Sequence, residues 1–304
     1  MKKVLVTGAA GSVGIQVIKY LLAEGKYEVT ALDLKNKVVF KKMRRFRKRI
    51  NILYGDVTDR VLIEALVKDH DVIIHLASSL PPLSDMKKGL AEIIDYDGSE
   101  NIIRAISYYN PKCHLFLAST TSLYKNIENP TVKSKIELDD YDYFSQAKYK
   151  AELLVKEKLK NYTIYRIPLV LGNPLVDPFM YNVKKNSIVG FVTKEDVAYA
   201  FVKGIKYLDK LNKKTYNVMS EEAILFNDLL QKYLKICGLS WEYIFGRVLL
   251  EKDYYSPVCA DGELLNSVID YQIDSLALYF KRLSSKVRKR KVAKFLARPL
   301  IKKK

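Results

Sequence analysis

Eight residues near the N-terminus, Thr7-Gly8-Ala9-Ala10-Gly11-Ser12-Val13-Gly14, restrict the fold more than any other part of the chain. Before them, residues 3–6 are a short β-branched run that reads as a buried strand. After them, Ile15, Ile18 and Leu22 recur at helical spacing. A strand, a glycine-rich turn and a helix in that order make a cradle for phosphate. Gly8 permits the tight turn, Gly11 has no Cβ and lets the backbone approach a diphosphate, and Gly14 lets helix and strand pack closely. The helix start, with Ser12 and Val13, adds free N–H groups and the positive end of the helix dipole. Asp33 closes the next strand, about 20 residues on, where a carboxylate can accept hydrogen bonds from an adenosine ribose diol.

The rest of the chain continues the alternation. Strands are expected at residues 28–32, 50–54, 71–76, 113–118 and 162–167, and helices at 61–68, 90–109 and 144–160. Residues 71–76 are apolar almost throughout, as a strand covered on both faces should be. The pattern predicts an α/β protein, a Rossmann-type doubly wound parallel sheet with a small C-terminal substrate-binding subdomain and a basic C-terminal tail. The expected division is a dinucleotide-binding domain over 1–167, with 190–218 returning to it, a mainly substrate-binding part over 168–283, and the tail over 284–304. Beyond residue 168 the pattern is less regular, with a loop around Pro174 and Pro178, helices at 196–207 and 227–237, and a strand at 215–218.

Composition narrows the function classes. The chain has 304 residues, 49% of them hydrophobic, enough for a substantial core. Cys113, Cys237 and Cys259 form no close pair, which argues against a zinc site or disulfide framework and for a reducing, cytoplasmic setting. His70, His75 and His114 show no metal-ligand spacing, so no metal is expected. No apolar run approaches the roughly 20 residues needed to cross a bilayer. The net charge of +18 is concentrated in two acid-free segments, 35–49 and 281–304, leaving the remainder close to neutral. Charge placed so locally points to a local anionic partner rather than to a nucleic-acid-coating protein.

The glycine spacing resembles that of the short-chain dehydrogenase/reductase superfamily, and later segments resemble its extended branch, the NAD-dependent epimerases and dehydratases. Gly55-Asp56-Val57-Thr58-Asp59 is similar to the family's adenine-contacting segment. His75-Leu76-Ala77-Ser78 is similar to the cofactor-lining turn after the fourth strand. Ser119-Thr120-Thr121-Ser122-Leu123-Tyr124 resembles the strand end that carries a catalytic Ser/Thr, here Thr120. Phe144-Ser145-Gln146-Ala147-Lys148, with Glu152, resembles the catalytic Tyr-x-x-x-Lys helix, and Arg166-Ile167-Pro168 resembles the following strand. The resemblance implies NAD rather than NADP as cofactor and a nucleotide-linked sugar as substrate, in surface polysaccharide synthesis. Cofactor contacts are expected at Gly8, Gly11, Ser12, Val13, Gly14, Asp33, Asp56, Val57, Leu76, Ala77, Ser78, Lys148 and Ile167. It also implies a homodimer paired through helices 90–109 and 144–160.

Two positions depart from the pattern. Phe144 stands where the family has its tyrosine, and Asp95 where it often has asparagine. The tyrosine moves a proton at a sugar hydroxyl, and phenylalanine has no O–H with which to do so. Tyr143 is rotated by about 100° from Phe144 on the helix. Tyr141 shares the Phe144 face only if the helix starts early. An acid, Asp95 among them, working with Lys148 is a further substitute. Three readings stay open: an enzyme with an atypical site, a catalytically inactive NAD(H)-binding or sensing protein, and an NADPH-dependent carbonyl reductase for a small molecule. The last is suggested by the short stretch between Gly172 and Gly190 and by the basic run after Asp33, any member of which could fold back onto a 2′-phosphate.

In the tail, Val292, Phe295 and Leu296 would share one helical face among Lys and Arg residues. Two readings of residues 284–304 stay open: a basic amphipathic segment lying on an anionic membrane surface at the inner face, and a disordered, solubilising tail or a contact with the protein's own acidic body.

Overall fold

The computed structural model describes residues 1–81, 84, 89–125, 127–172, 187–238 and 256–289. Most of the stretch between Gly172 and Gly190, the loop around Pro174 and Pro178, and the tail beyond residue 289 lie outside the described residues.

Seven parallel strands form the central sheet: β1 (Lys2–Thr7), β2 (Tyr27–Asp33), β3 (Asn51–Tyr54), β4 (Val72–His75), β5 (His114–Thr120), β6 (Tyr162–Ile167) and β9 (Lys214–Asn217). Their spatial order is β3-β2-β1-β4-β5-β6-β9, with the chain reversing direction across the sheet between β1 and β4. In such sheets ligands bind beyond the carboxyl ends of the strands at the reversal, here the ends of β1 and β4.

Alternation along β1 builds both cores. Val4 and Val6 face α1 (Ser12–Glu24) and α6 (Lys194–Gly204), in a cluster with Val17, Ile18, Leu21, Val197 and Phe201. Leu5 points to the opposite face, where α3 (Arg60–Lys68), α4 (Gly98–Tyr109) and α5 (Tyr143–Lys158) contribute Ile63, Ile102, Ile106, Ala151 and Val155. The doubly wound architecture expected from the sequence is therefore the one observed. α2 (Lys37–Met43) occupies part of the first basic run and is capped by the Asn36 side chain accepting from Val39 N at 2.9 Å.

Three findings differ from the expectations. The helix expected over 90–109 is a π-helix from Glu92 to Asp97 before α4 begins. α5 begins at Tyr143, capped by Asp142, so Tyr141 lies before the helix with its side chain largely in solvent rather than on the Phe144 face. A second sheet, ordered β10-β8-β7 and built from β7 (Leu169–Leu171), β8 (Ile188–Thr193) and β10 (Ala223–Leu225), has no counterpart in the sequence reading. It buries Leu169, Leu171, Val189 and Phe191 against α7 (Phe226–Cys237) and α9 (Leu276–Lys289). A short helix, α8 (Leu264–Ile269), sits beneath β9.

Candidate active site

The glycine turn has the dimensions of a phosphate cradle. Gly8 adopts φ +63°, a left-handed conformation, and a Cβ there would lie 2.7 Å from the backbone of Leu76 and Ala77. A Cβ on Gly14 would come within 2.4 Å of the Gly8 carbonyl oxygen and 2.9 Å of Ala9 Cα. Gly11 N–H donates to Gly8 O at 3.0 Å, closing the turn. Gly11 caps α1 without any side-chain bond, and the first turn of the helix carries no acid, so its N–H groups and dipole remain directed at the turn. Asp33 Oδ2 accepts from Ala10 N at 2.7 Å and Oδ1 from Leu34 N at 2.8 Å. Those two bonds fix the carboxylate at the end of β2, with lone pairs left for a ribose diol. Lys42, on α2, donates to Ala10 O at 3.0 Å, so one member of the basic run does fold back onto the turn. Together the close-packed glycines, the open helix start and the fixed carboxylate fit a dinucleotide. Farther along the same edge, Asp56 accepts from Thr58 N at 3.0 Å, and Val57 packs where a Cβ on Gly98 would strike it.

A polar chain runs from the turn into the site. Thr7 Oγ1 accepts from Leu76 N and Ala77 N at 3.2 and 3.3 Å and lies 2.7 Å from His75 Nδ1. His75 Nε2 lies 3.0 Å from Ser99 Oγ, which donates to Asp95 O at 2.6 Å. With the Ser99 proton committed to that carbonyl, Nε2 must carry the imidazole hydrogen and Nδ1 must accept from Thr7. Burial, followed by the Lys148 charge, pushes the His75 pKa down to about 3. The ring therefore stays neutral and bridges Thr7 at the end of β1 to Ser99 in α4. Among the described residues no cluster of histidine, cysteine and acid could hold a metal ion.

Asp95 sits in the π-helix with its side chain fully buried. Lys148 Nζ lies 2.9 Å from Asp95 Oδ1, and both side chains are at most 5% exposed. Ser79 N and Ser79 Oγ donate to Asp95 Oδ2 at 3.0 and 2.6 Å, and Ser78 Oγ donates to Oδ1. Burial alone would raise the Asp95 pKa. The Lys148 ammonium and the serine donors outweigh it and hold the carboxyl below its ordinary value. Lys148 also donates to Ala118 O at 3.2 Å.

Thr120 ends β5, its Oγ1 accepting from Ser122 N at 3.1 Å and lying 2.9 Å from Ser122 Oγ, which in turn is 2.8 Å from Ser145 Oγ. Phe144 is buried, its ring centroid 5.8 Å from Lys148 Nζ. Tyr143, the first residue of α5, is only half-buried on a different side of the helix. The structure thus places Phe144 beside Lys148, links Thr120 through Ser122 to Ser145 on the same helix, and leaves Tyr141 before that helix. The charge partner of Lys148 is Asp95, the acid that the sequence offered among the substitutes working with that lysine.

Behind this centre lies a fully buried ion pair. Arg166 Nε and Nη2 donate to the two Glu152 oxygens at 2.9 and 2.6 Å, and Ser119 Oγ donates to Glu152 at 2.6 Å. Arg166 Nη1 donates to Tyr124 at 2.7 Å, and Tyr124 donates to Asn217 at 2.9 Å. The network ties β5, β6, β9 and α5 together one residue behind Thr120.

The family model for the NAD dependent epimerase/dehydratase family matches residues 4–218. A UDP-N-acetyl-alpha-D-glucosaminuronate decarboxylase of Bacillus cytotoxicus is 32% identical over 125 residues, 40% of this chain and 38% of that protein. The chain thus aligns with well under half the length of that relative. A dTDP-glucose 4,6-dehydratase of Mycolicibacterium smegmatis is 24% identical over 235 residues, 73% of this chain and 70% of that protein. Among solved structures, the UDP-glucuronic acid 4-epimerase of Bacillus cereus in complex with UDP-glucuronic acid and NAD superposes with a TM-score of 0.78. It is 17% identical and covers 94% of this chain and 99% of its own. At that identity the likeness speaks to the fold.

Proposed function

The chain belongs to the NAD dependent epimerase/dehydratase family, and we propose that it is an NAD-dependent enzyme acting on a sugar carbon of a nucleotide-linked sugar, with Asp95 and Lys148 replacing the usual tyrosine–lysine pair. The observation that carries the reading is the buried 2.9 Å Asp95–Lys148 contact, linked through Ser99, His75 and Thr7 to a complete dinucleotide cradle. The relatives' substrates, a UDP-linked sugar acid and dTDP-glucose by their names, support a nucleotide sugar. Surface polysaccharide synthesis is the process such a substrate would serve.

When bound, NAD supplies hydride acceptance and return. Asp33 favours NAD, because a 2′-phosphate beside its carboxylate would be repelled. Thr120 Oγ1 donates to the reacting sugar oxygen. Lys148 Nζ orients the nicotinamide ribose and relays the sugar hydroxyl's proton, taking it up as another passes to Asp95 Oδ1. Because Asp95 is held below its ordinary pKa, it is a weak final acceptor, and turnover is expected to be slow. Residues 168–283 hold the sugar nucleotide, two copies pair through α4 and α5, and the basic tail that follows α9 rests on an anionic membrane face. Among the described residues no helix is long and apolar enough to cross a membrane.

A second reading, an NAD(H)-holding protein without turnover, is favoured by Phe144, which carries no proton. Incubation with NAD⁺ and a panel of UDP- and dTDP-linked sugars, followed by chromatography of the products, separates the two. Slow turnover that disappears in Asp95→Asn while NAD⁺ binding persists supports the relay. Turnover absent from the wild type and present in Phe144→Tyr supports the holding protein.

A further inference from the structure

A cationic cluster borders the start of α1, at the cofactor cradle. Lys194 opens α6, which packs against α1. Gly172 lies between them: a Cβ there would be 3.5 Å from Ser12 Oγ and 3.9 Å from Lys194 Cδ. The Lys194 stem therefore runs beside Ser12, the first residue of α1, and its ammonium, two bonds farther out, can reach an anion held at that helix start.

Lys194 is poorly neutralised where it stands. Its side chain is 12% exposed, and the carboxylate paired with it among the described residues, Glu195, is 4.0 Å away. Glu195 also lies 3.4 Å from Arg282, so its charge is shared. The positive charges of Lys286, on α9, and Lys19, on α1, both act on the Lys194 ammonium. Arg45 acts on Lys19 in the same sense. Burial first, and then Lys286 and Lys19, lower the Lys194 pKa. Bringing ammonium groups together beside an open helix start is costly unless an anion joins them. A dinucleotide diphosphate carries two negative charges and would lie at that helix start.

We propose that Lys194 is a further cofactor-binding residue, its ammonium contacting the diphosphate oxygens of the dinucleotide, with Lys286 as a second cation drawn in from α9. The proposal rests on the NAD-binding reading above. It makes the cofactor site a joint construction of the glycine turn, α6 and α9.

The test is calorimetric titration of the full chain with NAD⁺, ADP-ribose and adenosine, for wild type, Lys194→Met and Lys194→Arg. A charge-assisted hydrogen bond predicts that Lys194→Met weakens NAD⁺ and ADP-ribose by about 10- to 100-fold. Adenosine, which has no phosphate, should bind unchanged, and Lys194→Arg should recover most of the loss. The salt dependence of NAD⁺ binding should also flatten in Lys194→Met. Wild-type NAD⁺ affinity in Lys194→Met overturns the inference while leaving the NAD reading intact, and so does an equal loss for adenosine. A wild type that binds neither NAD⁺ nor ADP-ribose overturns both.

Discussion

Replacing Glu152 by leucine removes the acceptor of the most deeply buried cation among the described residues, Arg166. Arg166 is 2% exposed on its side chain and Glu152 is fully enclosed, so no water can take the carboxylate's place. The Arg166 guanidinium loses two donors' partners, at 2.9 and 2.6 Å, and Ser119 loses its acceptor at 2.6 Å. Breaking a buried pair by removing one member costs about 3–5 kcal/mol. Arg166→Met should cost a similar amount, because it strands the carboxylate. The double variant Glu152→Leu/Arg166→Met leaves no buried charge. It strands only the Ser119 hydroxyl and the Tyr124 contact, at about 1 kcal/mol each. The expected outcome is two damaging single variants and a double variant down by only about 2 kcal/mol. Urea denaturation followed by circular dichroism reads all three, with an unchanged slope as the sign that the folded state keeps its compactness. Single-variant losses below about 1 kcal/mol, or a double variant as damaged as the sum of the singles, would refute the argument that desolvated charge governs this site. The pH dependence follows from the same pair. Burial would raise the Glu152 pKa, but Arg166, Lys156 and Ser119 lower it overall. Its contribution is thus fully present above the unfolded carboxylate pKa of about 4.3 and is lost as pH falls through the lower folded value.

Gly14→Ala should abolish NAD⁺ binding and destabilise the fold by about 1–3 kcal/mol, because its Cβ would meet the Gly8 and Ala9 backbone, which cannot rotate away; calorimetry and thermal melts check both. Asp33→Ala should weaken NAD⁺ by about 10- to 100-fold through loss of charged acceptors and narrow the preference over NADP⁺, whose 2′-phosphate Lys42 can then approach; unchanged affinities would remove Asp33 from the ribose site. Burial, foremost, raises the Asp196 pKa to about 7. The folded protein therefore holds a proton that the unfolded chain has released, and stability falls as pH rises from about 4 to 7, by at most about 4 kcal/mol at 1.36 kcal/mol per unit. Asp196→Asn should abolish that slope in urea midpoints taken at acidic and neutral pH.

The sequence alone determined the layered sheet and the cofactor cradle, because both depend on short-range pattern. Val4 and Val6 alternate with Leu5 to face two helix layers, and Gly8, Gly11 and Gly14 fall where a strand becomes a helix. Asp33 was legible for the same reason, being the residue at which the second strand ends. The small second sheet was not. Its strands β7 and β10 have three residues each, too few to show a period, and pairing assembles them from distant parts of the chain. Nor could sequence spacing decide what Lys148 touches. Asp95 precedes it by more than fifty positions, and only the π-helix at 92–97 and the packing of α5 on that helix bring the two charges together in the interior. Local pattern fixes which backbone forms. Which charges share a dry pocket is decided by packing, since the cost of burying either one alone forces the partner to be found wherever the fold happens to place it.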